Sequence, residues 1–153
     1  MFYANRGMFL ETIINYTIEI INNEKQALIF KQNPPSLYQN NKIFKEKSNV
    51  DYHGVYHGKY LCFEAKSTKS LTLPWNNFKK YQLEYLENAF YLNAISFVII
   101  YFSQHNAFFL VFWEKLKFLK VQKKALTYKK IEQNGYKLEI IYPFYLDFLK
   151  FLI

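Results

Sequence analysis

Two carboxylates and a lysine near the middle of the chain have the types and spacing of a metal-assisted catalytic centre. Asp51, Glu64 and Lys66 flank a His57-Gly58 pair, which favours a tight hairpin turn between two strands. A turn there sets Asp51 opposite Glu64, with Lys66 on the same strand face, because side chains alternate along a strand. Two opposed carboxylates need a cation between them. We therefore predict a divalent-cation site at this pair, since hard cations such as Mg²⁺ take oxygen ligands.

The reverse face of the second strand is apolar, which indicates that the strand is half-buried. Leu61, Phe63 and Ala65 point away from the charged side chains in the same register. The alternative interpretation is a surface hairpin whose charges are merely solvated. Cys62 shares the face of Glu64, and we expect it to be a buried, inert thiol rather than a nucleophile.

Composition favours one globular domain, spanning residues 1–153, with a polyanionic partner. Hydrophobic residues make up 51% of the 153 positions, and the formal net charge is +8. An excess of this size favours nucleic acid or an anionic membrane surface. The apolar tracts over 94–102 and 107–113 are shorter than the roughly 20 residues of a spanning helix. No helix combines a clean lysine-rich face with a bulky apolar face beyond what core packing needs, so we expect no membrane association. A single cysteine excludes an internal disulfide and favours a cytoplasmic protein.

The hydrophobic periodicity predicts an α/β fold with a central mixed β-sheet flanked by helices. Residues 33–48 form a projecting loop that is rich in lysine, and 67–73 form a polar loop. Asn76 or Asn77 is expected to cap the helix that follows. The predicted helices cover 5–23, 77–91, 114–125 and 143–152, and the predicted strands cover 27–30, the central hairpin, 95–102, 107–113 and 137–142.

Several polar side chains outside the hairpin could also contribute to a site. Gln82 interrupts the apolar stripe of the second helix and is expected to face the charged side of the hairpin, although a solvated position at the stripe's edge is the alternative. The helix over 114–125 has a lysine-rich outer face that could contact phosphates. His53 and His57 are interpreted as surface or DNA-facing residues, since no cysteines complete a zinc site.

Taken together, short segments along nearly the whole chain resemble RecU-type Holliday junction resolvases, which belong to the PD-(D/E)xK restriction-endonuclease-like nucleases. The segments occur in family order. They are Tyr3-Ala-Asn-Arg-Gly-Met8 with Leu10-Glu11, Asp51-Tyr-x-Gly54-x-Tyr-x-Gly58-Lys-Tyr60, Phe63-Glu-Ala-Lys66 with Thr68, Asn77-Phe78 with Gln82, and Leu146-Asp-x-Leu149-Lys150.

The resemblance implies a restriction-endonuclease-like core and assigns roles to six side chains. Asp51, Glu64 and Gln82 would surround Mg²⁺, for which Mn²⁺ could substitute, and Lys66 would stabilise the transition state. Arg6 would contact DNA, and Glu11 would support the site from the first helix. The resemblance also implies a homodimer that brings two active sites to a four-way DNA junction, with a recombinase as a further partner.

Two departures from the family pattern concern the metal site and the stalk. Asn49 stands where the family usually has a threonine that contributes to the metal site, and we do not assign it as a ligand. The projecting stalk, which is long in the family, is reduced to about 33–48.

We therefore expect a Mg²⁺-dependent, structure-specific endodeoxyribonuclease that resolves Holliday junctions in recombination and DNA repair. In this hypothesis a metal-activated water attacks the phosphodiester. The alternatives are a nuclease for other branched or nicked DNA, and a DNA-binding recombination protein with little or no cleavage activity.

Overall fold

The computed structural model describes residues 6–32, 36–45 and 50–152. Side chains are described throughout these ranges except at residues 6, 36–39 and 43–45. Asn5, Asn33, Lys47 and Asn49, about which the sequence made predictions, lie outside the described residues.

Four helices and twelve strands make up the regular structure of the described residues. The helices are α1 (Arg6–Asn23), α2 (Lys80–Tyr91), α3 (Trp113–Val121) and α4 (Tyr128–Asn134). The strands are β1 (Leu28–Lys31), β2 (Ser36–Gln39), β3 (Lys42–Lys45), β4 (Tyr52–Tyr56), β5 (Lys59–Thr68), β6 (Thr72–Leu73), β7 (Ile95–Phe102), β8 (Ala107–Phe112), β9 (Leu126–Thr127), β10 (Tyr136–Leu138), β11 (Ile140–Ile141) and β12 (Tyr145–Leu146). Three-residue 3₁₀ turns occur at Trp75–Asn77, Ser103–His105 and Leu149–Phe151.

A six-stranded sheet in the order β1-β4-β5-β7-β8-β10 is the frame of the fold. It is mixed, which confirms the central mixed sheet that the sequence predicted. Only β5 and β7 are parallel within it, and α2 forms the connection between them. The other neighbours are antiparallel. The predicted turn at His57-Gly58 is present, and it pairs Tyr56 with Lys59. Both turn residues have positive φ, at 48° and 77°, which matches the tight hairpin turn expected of an X-Gly pair.

The alternation of side chains along the strands creates two separate hydrophobic cores, one on each face of the sheet. One core joins α1 to Phe63 and Phe97, and includes Leu146, Phe148, Leu149 and Leu152 near the C-terminus. The other core joins α2, α3 and α4 to Val98 and Phe109. The central strands β7 and β8 are buried on both faces, which explains their nearly continuous apolar sequences. Within the described residues, no helix has both the length and the apolar character needed to cross a membrane.

The predicted projecting loop contains a hairpin. The backbones of β2 and β3 pair antiparallel through a turn at Asn40 and Asn41, whose positive φ values of 51° and 59° are typical of a two-residue hairpin turn. No strands were predicted from the sequence in this part of the projecting loop. Two adjacent asparagines tolerate the left-handed conformation that such a turn requires.

The connection between β5 and α2 also differs from the prediction. The polar loop predicted over 67–73 is interrupted, since β5 continues to Thr68 and Thr72–Leu73 pairs with Leu126–Thr127. Neither Asn76 nor Asn77 caps the helix: α2 begins at Lys80, after a 3₁₀ turn. The Gln82 side chain instead accepts a hydrogen bond from the Lys79 backbone N–H, at 2.9 Å.

The C-terminal helix predicted over 143–152 is replaced by a short hairpin and a 3₁₀ turn. The strand predicted over 137–142 divides into β10 and β11, and β11 pairs with β12. The backbone N–H of Leu146 donates to Thr17 Oγ1 in α1 at 2.9 Å, and Phe148 and Leu152 are buried in the α1 core. Contacts with a helix far away in the sequence thus outweigh the local helical periodicity.

Gly54 permits the close approach of β1 to β4. A Cβ at this position would lie 2.0 Å from the backbone carbonyl oxygen of Leu28, so the edge strand would have to move. A Cβ at Gly7, in α1, would meet nothing within 4 Å.

We expect Gly54→Ala to lower the free energy of unfolding by about 1–3 kcal/mol, as other overpacked sites do. Gly7→Ala is the matched control. It should leave stability unchanged or raise it by up to about 1 kcal/mol, because alanine favours the helix. Urea denaturation followed by circular dichroism measures both, and equal stability of the two variants would contradict the assigned β1–β4 packing.

Candidate active site

Asp51 and Glu64 are fixed by reciprocal hydrogen bonds at the end of the β4–β5 ladder. The Asp51 backbone N–H donates to Glu64 Oε1 at 2.9 Å, and Asp51 Oδ2 accepts from the Ala65 N–H at 2.9 Å. The regular ladder ends at the Tyr52–Phe63 pair. The two carboxylates therefore accept backbone N–H groups at the position where the next ladder hydrogen bonds would form. They lie opposite each other, as the hairpin register predicted.

The Glu64 carboxylate is fully buried and only partly satisfied. Its side chain is 0% exposed, and Glu64 Oε2 has no hydrogen-bond partner. Burial raises the pKa of Glu64 far above its ordinary value, the neighbouring Asp51 carboxylate raises it further, and the Lys66 ammonium opposes both effects. The site in this state thus favours a proton or a cation at Glu64 Oε2.

Lys66 lies beside the carboxylates in a half-enclosed position. Its Nζ is 3.7 Å from Glu64 Oε2 and donates to Gln82 Oε1 at 3.2 Å. The Phe78 ring lies below it, with 5.3 Å between Nζ and the ring centroid. An amide, a carboxylate and an aromatic face therefore hold the ammonium, and such aromatic faces attract cations.

Gln82 is brought to the site, but its oxygen already has two donors. Gln82 is 8% exposed, and its Oε1 accepts from both Lys66 Nζ and the Lys79 N–H. This bifurcated acceptor connects the first turn of α2 to the lysine. In this arrangement Gln82 orients Lys66, and direct metal ligation by the same oxygen would compete with these two bonds.

The residues present fit a divalent cation. The buried and unpartnered Glu64 Oε2 and the Asp51 carboxylate supply oxygen donors at the same end of the β4–β5 ladder. Oxygen is the donor type that Mg²⁺ and Mn²⁺ accept. Within the described part of the chain, no group of three or more His, Cys, Asp or Glu side chains could hold a metal. Two carboxylates suffice for Mg²⁺, which usually retains several waters.

Glu11 lies on the other side of the sheet from Lys66, near Tyr52. It forms an ion pair with Lys31 in β1, at 3.0 Å. Tyr52 is fully buried and its hydroxyl donates to Asn15 Oδ1 at 3.1 Å. Burial raises the pKa of Tyr52 strongly, and the charges of Glu11, Asp51 and Glu64 raise it further. Glu11 and the two carboxylates of the site thus act on the same buried hydroxyl, that of Tyr52, from different sides.

His53, His57 and Cys62 make no contact with this cluster that the structure describes. Arg6 begins α1, but its side chain lies outside the described residues. The ring of His53 lies 6.1 Å from that of Phe30, and His57 packs on Tyr56 in the hairpin turn, at 4.3 Å between ring centroids. Cys62 is buried, and burial raises the pKa of its thiol to about 11, which agrees with an inert thiol.

One contact at the site and one ion pair on the other side of the sheet were not predicted from the sequence. The first is the support of Lys66 by Phe78, which the helical periodicity had assigned only to the core stripe of α2. The second is the Glu11–Lys31 ion pair. Neither has a signal in sequence spacing, because each joins elements that are distant along the chain.

Comparison with known proteins gives one family and one fold. The family model described as Recombination protein U, RecU, matches residues 5–153. A protein of Mycoplasmopsis pulmonis named Holliday junction resolvase RecU is 34% identical over 150 residues, which cover 97% of this chain and 94% of that protein. A Bacillus cereus protein of the same name is 32% identical over 170 residues, covering 98% of this chain and 84% of that protein.

A solved structure supports the fold. The Hjc protein of Archaeoglobus fulgidus, described as a Holliday junction resolvase from an archaeal hyperthermophile, superimposes with a TM-score of 0.56 at 15% identity. The match covers 86% of this chain and 95% of that protein. The resemblance in fold to a nuclease of this kind agrees with the restriction-endonuclease-like core expected from the sequence.

We expect Glu64→Gln to stabilise the metal-free protein at alkaline pH. The pKa of Glu64 in the folded protein is raised above its ordinary value of 4.5. Above pH 4.5 the folded protein therefore keeps a proton on Glu64 that the unfolded chain releases. Wild-type stability should therefore fall as pH rises, by at most about 1.4 kcal/mol per pH unit. Glutamine mimics the protonated acid, so it should flatten this dependence.

Thermal unfolding in EDTA at about pH 6 and pH 8 measures this difference. Glu84→Gln, on the exposed side of α2, is the control and should leave the wild-type pH dependence unchanged. A Glu64→Gln variant with the wild-type slope would contradict the raised pKa.

Proposed function

We infer that this chain, which belongs to the RecU (recombination protein U) family, is a Holliday junction resolvase that cleaves DNA with a divalent metal ion. The observation that carries the mechanism is the buried and unpartnered Glu64 Oε2, held beside Asp51 and 3.7 Å from Lys66 Nζ. Burying an unsatisfied carboxylate costs free energy. A surface hairpin whose charges are merely solvated would not bury one. The names of the relatives supply the junction as the substrate.

The reaction that we propose is hydrolysis of a phosphodiester in branched DNA. A bound Mg²⁺, or Mn²⁺ in its place, would lower the pKa of its water and neutralise charge on the scissile phosphate. Asp51 and Glu64 would hold the cation. Lys66, kept in place by Gln82 and Phe78, would donate to the phosphate oxygens as their negative charge grows. Glu11, from α1, would add to the local negative field.

The lysines after α3 are suitable for contacting the DNA backbone next to this site. Trp75 Nε1 donates to the Lys124 carbonyl at 2.9 Å, and the Trp75 ring lies 5.9 Å from the ring of Phe78, which supports Lys66. Lys123 and Lys124 are both exposed. We propose that this loop binds phosphates that flank the scissile bond, with Arg6 contributing from α1.

The β2–β3 hairpin is the candidate for the element that recognises the branch point. It connects β1 to β4, and at its base the Gln32 N–H donates to the Asp51 carbonyl at 2.7 Å. The projecting segment therefore begins next to the proposed catalytic carboxylate. We further propose that the protein acts as a homodimer in the cytoplasm, so that two sites can make paired cuts, and that a recombinase delivers the junction.

We expect wild-type protein to introduce paired, symmetric nicks into a synthetic mobile four-way junction only when Mg²⁺ or Mn²⁺ is present. Asp51→Ala and Glu64→Ala should reduce cleavage at least a thousandfold while junction binding survives, since neither residue contacts phosphate directly in this scheme. Lys66→Ala should abolish cleavage with metal binding intact. Gel assays of cleavage and binding separate these effects.

The same assay on a flap and on linear duplex tests the substrate. Equal cleavage of the junction, the flap and the linear duplex would contradict a junction resolvase and indicate a less selective nuclease. Salt-sensitive junction binding without metal-dependent cleavage would contradict the enzyme proposal altogether, leaving a DNA-binding recombination protein.

We expect the double variant Lys123→Gln/Lys124→Gln to weaken junction binding and to reduce the slope of log K against log salt by about 2, one for each phosphate that the variant no longer neutralises. Lys25→Gln/Lys59→Gln is the matched control. It removes the same charge at the opposite end of the sheet, near Gly58, and Lys25 has a positive φ like that of Lys123. Titrations by fluorescence anisotropy at several salt concentrations measure both, and equal slopes in the two variants would contradict the proposed phosphate-binding loop.

A further inference from the structure

Two side chains that support Lys66 come from the short segment after the Trp75–Asn77 turn. Lys66 Nζ donates to Gln82 Oε1 at 3.2 Å and lies 5.3 Å from the centre of the Phe78 ring. The Lys66 side chain is 16% exposed, because these two groups and Glu64 surround most of the ammonium. The position of this segment therefore decides where the ammonium lies.

Trp75 fixes the start of this segment through its backbone and its ring. Its carbonyl oxygen accepts from the Phe78 N–H at 3.0 Å, and the two ring centroids are 5.9 Å apart, with an angle of 45° between the ring planes. Trp75 is half-buried and packs on the core beneath α2, whereas Phe78 is only 5% exposed. The Phe78 ring thus contacts both the indole and the Lys66 ammonium.

The β6–β9 ladder stops just short of this turn. It pairs Leu73 with Leu126, and two residues earlier the Tyr128 N–H donates to the Leu71 carbonyl at 2.8 Å. Hydrogen-bonded pairs recur at every second position of an antiparallel ladder. The same register therefore places the next hydrogen bond between residues 75 and 124.

The indole of Trp75 makes that next bond in place of the backbone. Pro74 has an extended backbone and no N–H, and the chain enters the 3₁₀ turn directly after it. The Trp75 Nε1–H donates to the Lys124 carbonyl at 2.9 Å. The segment that supports Lys66 is thereby joined to the loop after α3, which carries the exposed side chains of Lys123 and Lys124.

We propose that Trp75 is a positioning residue for Lys66, which acts through Phe78 and holds the ammonium in a fixed place relative to the loop after α3. This inference rests on the catalytic role proposed for Lys66. A phosphate bound by Lys123 or Lys124 would be presented to an ammonium that is already in place. Such preorganisation lowers the barrier to cleavage without strengthening the binding of DNA.

The first test is steady-state cleavage of a four-way junction by Trp75→Phe, which keeps an aromatic ring and removes the indole N–H. We expect kcat and kcat/KM to fall together by about tenfold with KM unchanged, as for an interaction made only in the transition state.

Trp113→Phe is the matched control for the loss of an indole. Trp113 is 2% exposed, and its Nε1 has no hydrogen-bond partner among the described residues. Because this side chain is buried in the core, the control should lower the melting temperature at least as much as Trp75→Phe does. It should nevertheless leave kcat unchanged.

A double-variant cycle tests the route through Phe78. Phe78→Leu removes the ring beside the Lys66 ammonium and should itself lower kcat. If Trp75 acts through that ring, adding Trp75→Phe to Phe78→Leu should lower kcat no further, since residues that act through one shared contact are not additive. Effects that multiply in the double variant would overturn this route.

NMR spectra of the full chain with isotopically labelled lysine measure the position of Lys66 without DNA, metal or cleavage. The Phe78 ring shifts the signal of the Lys66 ε-methylene, and Lys66→Arg assigns that signal by its loss. Lys117 and Lys150 also lie over aromatic rings and serve as internal references. Trp75→Phe should move the Lys66 signal toward those of exposed lysines and leave both references in place.

The outcomes separate positioning from packing and from DNA contact. An unmoved Lys66 signal in Trp75→Phe would overturn the proposal, as would equal movement of that signal in Trp113→Phe. A raised KM with an unchanged kcat would also overturn it and assign Trp75 to DNA contact. A wild-type protein that does not cleave DNA would contradict the proposed function itself, whereas the lysine spectra would still decide whether Trp75 positions Lys66.

Discussion

The exchange of hydrogen bonds between Asp51 and Glu64 is the constraint on which the site depends. Each carboxylate accepts a backbone N–H from the opposite strand, so the charges are fixed by the same bonds that end the β4–β5 ladder. A side chain held in this way cannot rotate away from its neighbour without losing strand pairing. The hairpin therefore stabilises a repulsive pair, and burial leaves Glu64 Oε2 without any hydrogen-bond partner.

The helix α2 and the residues just before it hold Lys66 in place beside the two carboxylates. Gln82 caps the first turn of α2 and also accepts from Lys66, so the start of the helix and the orientation of the lysine are coupled. Phe78 joins them through its contact with the ammonium. A substitution at the start of α2 would therefore change the position of the Lys66 ammonium.

The two faces of the sheet are covered to different extents by helices, and this difference decides where a site can be exposed. One face is sealed by α1 and by the C-terminal segment, which α1 holds through Thr17. The other face is divided between the helices, the proposed catalytic centre and the exposed apolar side chains of Phe30 and Val55. The proposed catalytic centre therefore lies on the face that α2, α3 and α4 cover only in part, whereas α1 and the C-terminal segment close the opposite face.

Features that depend on local spacing were predictable from the sequence alone. The turn at His57-Gly58, the two-residue period and the apolar reverse face were enough to oppose Asp51 and Glu64 and to place Lys66 beside them, and helical periodicity located α1. Tertiary structure decided the rest. The C-terminal residues follow a helical pattern, but Thr17 and the α1 core draw them into a hairpin, because burial against a distant helix outweighs local propensity. The burial of Glu64 and the exposure of β1 likewise depend on which helix covers which strand, and sequence spacing carries no signal of that.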